Sequence, residues 1–208
     1  MCSGPISDVR TGADAWLRWA LDRYGVTALW VAPAAVAVFF LIRSVAAWKT
    51  RPKDTIATVF GMAVESVVYA VLLWAVSRNF KPILDQLGVQ LSLPTLRLEA
   101  PAKLVSYVGA GIYEEVIFRL GLYTLLFVAF RTFFLPTPLA VVAAAVAGSL
   151  LFAAAHHAGE NGEPFHPTVF LFRTLAGLYF TALYAGRGFG VAVGAHAGYD
   201  VLVGVSVG

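Results

Sequence analysis

The sequence predicts an all-α fold: a polytopic membrane helical bundle of about six transmembrane helices, with a short N-terminal interfacial helix. Two observations carry this expectation. Of the 208 residues, 59% are hydrophobic and only 13% charged, with a mean hydropathy of +0.76. A soluble domain of this size needs more charge to cover its surface. Several apolar stretches also reach the roughly 20 residues that a spanning helix requires. The net charge of +3 is small and spread along the chain. It fits loops lying against anionic lipid and excludes the clustered base of a nucleic-acid footprint. A single cysteine, Cys2, excludes an intramolecular disulfide and any CxxC metal or redox pair. Asp8, Arg10, Asp14, Arg18, Asp22 and Arg23 argue against a cleavable signal peptide.

The elements follow in order. Residues 1–25 form an N-terminal interfacial segment. Within it, 13–24 read as an amphipathic helix in which Trp16, Trp19 and Tyr24 sit beside charges. Residues 26–208 form a single transmembrane domain. Its first span, about 26–47, contains Pro33 and is expected to kink there. It ends on Lys49, Arg51 and Lys53. The second, about 56–77, holds Glu65, to which no role is assigned. Residues 78–103 mix Lys81, Asp85, Arg97 and Glu99 with Pro82, Pro94 and Pro101, and are expected to be a loop or an interfacial segment. The third span, 104–134, would reach about 46 Å as a straight helix. That exceeds a hydrocarbon core of about 30 Å, so tilting or a break near Gly121 is expected. The fourth, 138–157, is rich in Ala and Gly, which favours close helix packing. A turn-rich loop at 158–167 leads to a fifth span at 168–186 and a sixth at 189–207, after which no tail domain is expected. The basic 48–55 loop places the N-terminus outside by the positive-inside rule, although Arg78, Lys81, Arg97 and Lys103 pull the other way.

The chemistry lies in polar residues set inside these apolar stretches. Glu114, Glu115 and Arg119 fall within six positions at membrane depth, where ionisable groups are expensive and face protein or water. Glu115 and Arg119, four apart, share a helix face and can pair. Glu114 points about 100° away and is left for another task. His156 follows Phe152 by four residues in the fourth span, and His196 and Asp200 repeat that spacing in the sixth. If the helices bundle, Glu114, His156, His196 and Asp200 meet around one cavity.

Two kinds of chemistry suit such a set. A carboxylate beside a histidine can take a proton from water that then attacks a carbonyl, while a second histidine donates to the oxyanion. Alternatively, Glu114, His156 and His196 can hold a divalent metal such as zinc with one position open for water. The spacing does not choose between them. His157 and His166 read as packing residues or loop residues near the cavity mouth. Phe170, Phe172, Tyr179, Phe180 and Tyr184 read as packing.

Glu114-Glu115-Val116-Ile117-Phe118-Arg119, Phe152-Ala153-Ala154-Ala155-His156 and His196-Ala197-Gly198-Tyr199-Asp200 occur in this order, each in its own apolar segment. Together they resemble the motifs of the CAAX protease and bacteriocin-processing family, which includes the CAAX prenyl endopeptidases. The resemblance covers about 104–204. It implies an all-helical intramembrane peptidase with this catalytic core, in the bacterial inner membrane, acting on a membrane protein or peptide in the lipid bilayer. By position, Glu114 would activate water with His156 helping. His196 and residue 200 would stabilise the oxyanion, and Glu115, Arg119 and Phe152 would support them. In the prenyl endopeptidases the last position is typically Asn. Asp200 departs from that, and an ionised Asp cannot donate to an oxyanion. It would orient His196, be protonated, or bind metal. The resemblance leaves open a divalent metal or none. Two other functions are compatible with the residues: a non-catalytic immunity or scaffold member of the same family, and a proton-coupled transporter. The transporter lacks the support of an inverted repeat.

Overall fold

The computed structural model describes residues 23–25, 31–86, 104–133, 135–158 and 163–205. Among them there is no strand, and the chain is an all-α membrane bundle of six helical rods. Helix α1 spans Val31–Ala46, and a 3₁₀ turn at Trp48–Thr50 leads to α2, Thr55–Gln86. The third rod is continuous. It runs from α3 (Leu104–Glu115) through a π-helical segment (Val116–Tyr123) into α4 (Thr124–Thr132). Helices α5 (Thr137–Ala155), α6 (Pro167–Arg187) and α7 (Phe189–Val205) complete the bundle. Three of these, α2, α5 and α6, are long and apolar enough to cross a membrane. The amphipathic helix expected at 13–24 lies outside the described residues, apart from 23–25.

One alternative in each of two expectations is corrected. Residues 78–86 are not a loop, because α2 continues to Gln86 through Pro82. Proline removes one helical hydrogen bond. Against that loss, Phe80 and Leu84 are buried, the Phe80 ring meets Phe172 edge-on at 5.3 Å, and Lys81 pairs with Asp85 at 2.7 Å. The third rod does not break near Gly121. It widens into the π segment that contains Gly121, with the Thr124 hydroxyl donating to the Arg119 carbonyl five residues back. Such π turns are rare and often mark functional sites.

Packing rests on small residues. Ala140, Ala144, Gly148 and Phe152 form a buried i, i+4 ladder on α5, and His156 stands at its next step. On α7, Gly190, Gly194 and Gly198 face Met62, Ser66 and Ala70 of α2 at the same spacing. In lipid the tails are as apolar as leucine, so helices associate through close contact rather than through burial of grease. Helix α7 packs against α2, α3 and α6, and α5 packs against α6 and α4. The enclosure left between α3, the π segment, α5, α6 and α7 holds the polar residues.

Candidate active site

Close backbone approach brings the catalytic candidates together. A Cβ on Gly111 would stand 3.0 Å from the Ala197 nitrogen. Glycine there lets α3 and α7 touch, one turn before Glu114 and at the residue next to His196. Glu114, Glu115, Arg119 and His196 are all buried.

Both adjacent carboxylates meet the same imidazole. Glu115 Oε1 lies 2.7 Å from His196 Nδ1, and Glu114 Oε2 lies 3.6 Å from His196 Nε2. Adjacent side chains on a helix diverge by about 100°. The two nitrogens of one ring lie on different edges, so each carboxylate takes its own edge. Glu114 Oε2 is also 3.8 Å from His156 Nε2. His156 Nδ1 sits 2.8 Å from the Phe152 carbonyl. A carbonyl only accepts, so Nδ1 carries a proton, and Nε2 is the ring nitrogen turned toward Glu114. Asp200 Oδ2 lies 3.7 Å from His196 Nε2. The structure thus brings Glu114, His156, His196 and Asp200 into one cluster.

Glu115 and Arg119 form the pair that their spacing suggests, at 3.2 Å. Arg119 also donates through Nη2 to the Gly177 carbonyl at 3.2 Å, and its guanidinium lies 4.8 Å from the centre of the Phe152 ring and 5.6 Å from that of Phe180. Gly177 can offer that carbonyl because a Cβ there would press to 2.9 Å on Ser149 Cβ, at the α5–α6 contact. Phe152 sits edge-on to His156 at 4.9 Å.

Three features escaped the sequence reading. Glu115 binds His196 as well as Arg119. Phe180, expected only to pack, stacks on the His196 ring at 4.3 Å and 17°. Arg173, on α6, donates to the Glu163 carboxylate at 2.8 Å, and its charge reaches Glu114, His156 and Asp200. Arg173, Gly177 and Phe180 are spaced as one helix face, which is the signal that could have found the first from the others. His157 belongs to the loop side, with Nδ1 3.0 Å from the Glu163 carbonyl and its ring against Phe165 and Phe170. Glu65, with no role assigned, is bound by Arg187 at 2.5 and 2.8 Å, tying α2 to the end of α6.

A zinc site needs at least three donors converging about 2.0–2.2 Å from one point. Among the described residues, no group of three or more His, Cys, Asp or Glu side chains is placed to hold an ion.

A family model described as type II CAAX prenyl endopeptidase Rce1-like matches residues 97–202, just over half of the chain. The matched stretch contains all seven motif residues from Glu114 to Asp200. Comparisons with curated proteins and with solved structures give no match.

Proposed function

Because the chain belongs to the Rce1-like family of type II CAAX prenyl endopeptidases, we propose that it is an intramembrane endopeptidase in which Glu114 activates the attacking water. The substrate is a peptide bond of a membrane-associated protein or peptide, and the setting is the bacterial inner membrane. The observation that carries this reading is the position of Glu114 Oε2 between the Nε2 atoms of His156 and His196, at 3.8 and 3.6 Å. These gaps exceed a direct hydrogen bond, and catalytic contacts tighten when substrate binds.

In this mechanism Glu114 takes a proton from water, with His156 Nε2 holding that water in place. The oxygen attacks the carbonyl carbon, and the carbonyl π electrons move onto oxygen. His196, its Nδ1–H held by Glu115, donates from a protonated Nε2 to that oxyanion. Collapse of the tetrahedral intermediate breaks the C–N bond, and the proton held by Glu114 passes to the leaving amine. Arg119 neutralises Glu115, and Phe180 and Phe152 fix the imidazole planes. Asp200 faces the same Nε2 as Glu114, so the orientation of His196 falls to Glu115. No step passes through a metal.

The test is cleavage of a membrane substrate by reconstituted protein. Glu114→Gln and His156→Ala abolish cleavage while helicity and detergent-solution size stay those of wild type. Wild-type cleavage by both variants would sink the assignment. A Glu114→Gln variant that keeps the biological effect of the parent would favour the non-catalytic member instead.

A further inference from the structure

Arg173 is the cation of the site that the mechanism does not use. Arg119 cannot meet a substrate, since its side chain is 2% exposed and enclosed by Glu115, the Gly177 carbonyl and two rings. Arg173 is 19% exposed. It stands one turn before Gly177 and two turns before Phe180 on α6, facing a cluster otherwise rich in carboxylates. Its Nη2 holds Glu163, which belongs to the connection entering α6 and is 45% exposed. Its Nη1 is buried and has no hydrogen-bond partner among the described residues. An orphaned buried donor is costly, and a guanidinium is shaped to grip one carboxylate through two nitrogens.

We propose that Arg173 is the anchor for a carboxylate of the bound peptide, which takes over the guanidinium from Glu163. The exchange uses a carboxylate position that the protein already fills from its own connection. It also gives Nη1 the partner it lacks. The carboxylate comes from the peptide's C-terminus or from an acidic side chain. Among Glu114, Glu115 and Asp200 an incoming carboxylate is repelled, so a reachable cation is what admits it. The inference rests on the endopeptidase reading for its substrate, but its measurement is one of binding.

The probe is a pool of N-acylated degenerate hexapeptides made as free acids, as C-terminal amides, and as amides carrying one Asp. Binding to the full chain in nanodiscs is read by fluorescence anisotropy, with Glu114→Gln as background so that no peptide is consumed. The acid pool should bind roughly tenfold more tightly than the plain amide pool, the size of one charge-assisted bond. R173Q should bring that ratio to about one, and R173K should keep part of it. E163Q, which leaves Arg173 intact, should tighten acid binding by removing the internal competitor. Asp-bearing amides that bind like the acids identify a side-chain carboxylate, and ones that bind like plain amides identify the terminus. Both support the anchor. Equal binding of acid and amide, or a preference that survives R173Q, overturns it. An Arg173-dependent preference in a chain that, with Glu114 intact, cleaves none of the pools would overturn the endopeptidase reading and leave the anchor standing.

Discussion

His196 is held on every side, and each contact can be removed singly. Glu115 lies on one nitrogen, Glu114 and Asp200 share the other, and Phe180 covers the ring. Glu115→Ala leaves Arg119 buried without its partner, a loss of about 3–5 kcal/mol for a broken buried pair. It should appear as a markedly lower melting temperature in detergent, along with lost cleavage. An unchanged melting temperature would mean that the pair contributes nothing to the fold. Asp200 makes the opposite prediction. An amide can donate to an oxyanion where a carboxylate cannot, so Asp200→Asn should keep kcat within about tenfold, while His196→Ala should lose about 10²–10³. A collapse of activity in Asp200→Asn alone would show that the negative charge at 200 is required. The i, i+4 spacings of Glu115 with Arg119 and of Phe152 with His156 were legible in the sequence because helix geometry fixes them. The grip of Glu115 on His196, the Phe180 stack and the approach of Arg173 were not. They depend on how far each helix is rotated about its axis, which is set by contacts between helices distant in the chain.

At the scale of elements, His196 is positioned by a stripe of small residues. Helix α7 lies against α2 through Gly190, Gly194 and Gly198, and a Cβ on Gly194 would run into the Ser66 hydroxyl and stand 2.8 Å from its Cβ. Gly194→Val should therefore cost about 1–3 kcal/mol by overpacking and lower cleavage as well, because α7 carries His196 and Asp200. Adding Ser66→Gly should restore part of each, and failure to do so would place the strain elsewhere. The connection into α6 has its own lever. Partial burial works to raise the Glu163 pKa, but the bond to Arg173 and its charge outweigh this and hold the carboxyl below its ordinary value. A depressed folded value means that the tie is present above the unfolded pKa and is lost as pH falls through the folded one. The protection factors of the Glu163, Phe165 and His166 amides, which correct for the intrinsic pH dependence of exchange, should then fall as pH drops through the lowered Glu163 value, while those of α5 stay constant. Protection factors that are the same at neutral and at acid pH would show that the tie does not order the connection. The helices α5, α6 and α7 were readable from apolar runs between glycine and proline signals. The extension of α2 past Pro82 was not, because the prolines there argue for a stop, and the burial of Phe80 and Leu84, with the Phe80–Phe172 contact, outweighs them.

For the molecule as a whole, the outer surface has to be apolar for a reason that composition alone cannot localise. Helix α5 shows it most plainly, since its two faces differ in size rather than polarity. Ala140, Ala144 and Gly148 are buried, while Val142, Val146 and Leu150 are exposed on the other side. A contiguous apolar face exposed on a soluble protein marks an interaction site or an aggregation liability, and in a bilayer it is the ordinary lipid-facing choice. The single Cys2 makes this testable with little disturbance. In a Cys2→Ser background, V142C, V146C and L150C should resist a membrane-impermeant maleimide from either side of intact vesicles and react once the membrane is dissolved in detergent. T50C, at the exposed turn between α1 and α2, should react in intact vesicles from one side, which also fixes the orientation that the scattered Lys and Arg leave divided. Labelling of V146C in intact vesicles would mean that this face of α5 meets water, and the site it encloses would then have to be placed outside the bilayer.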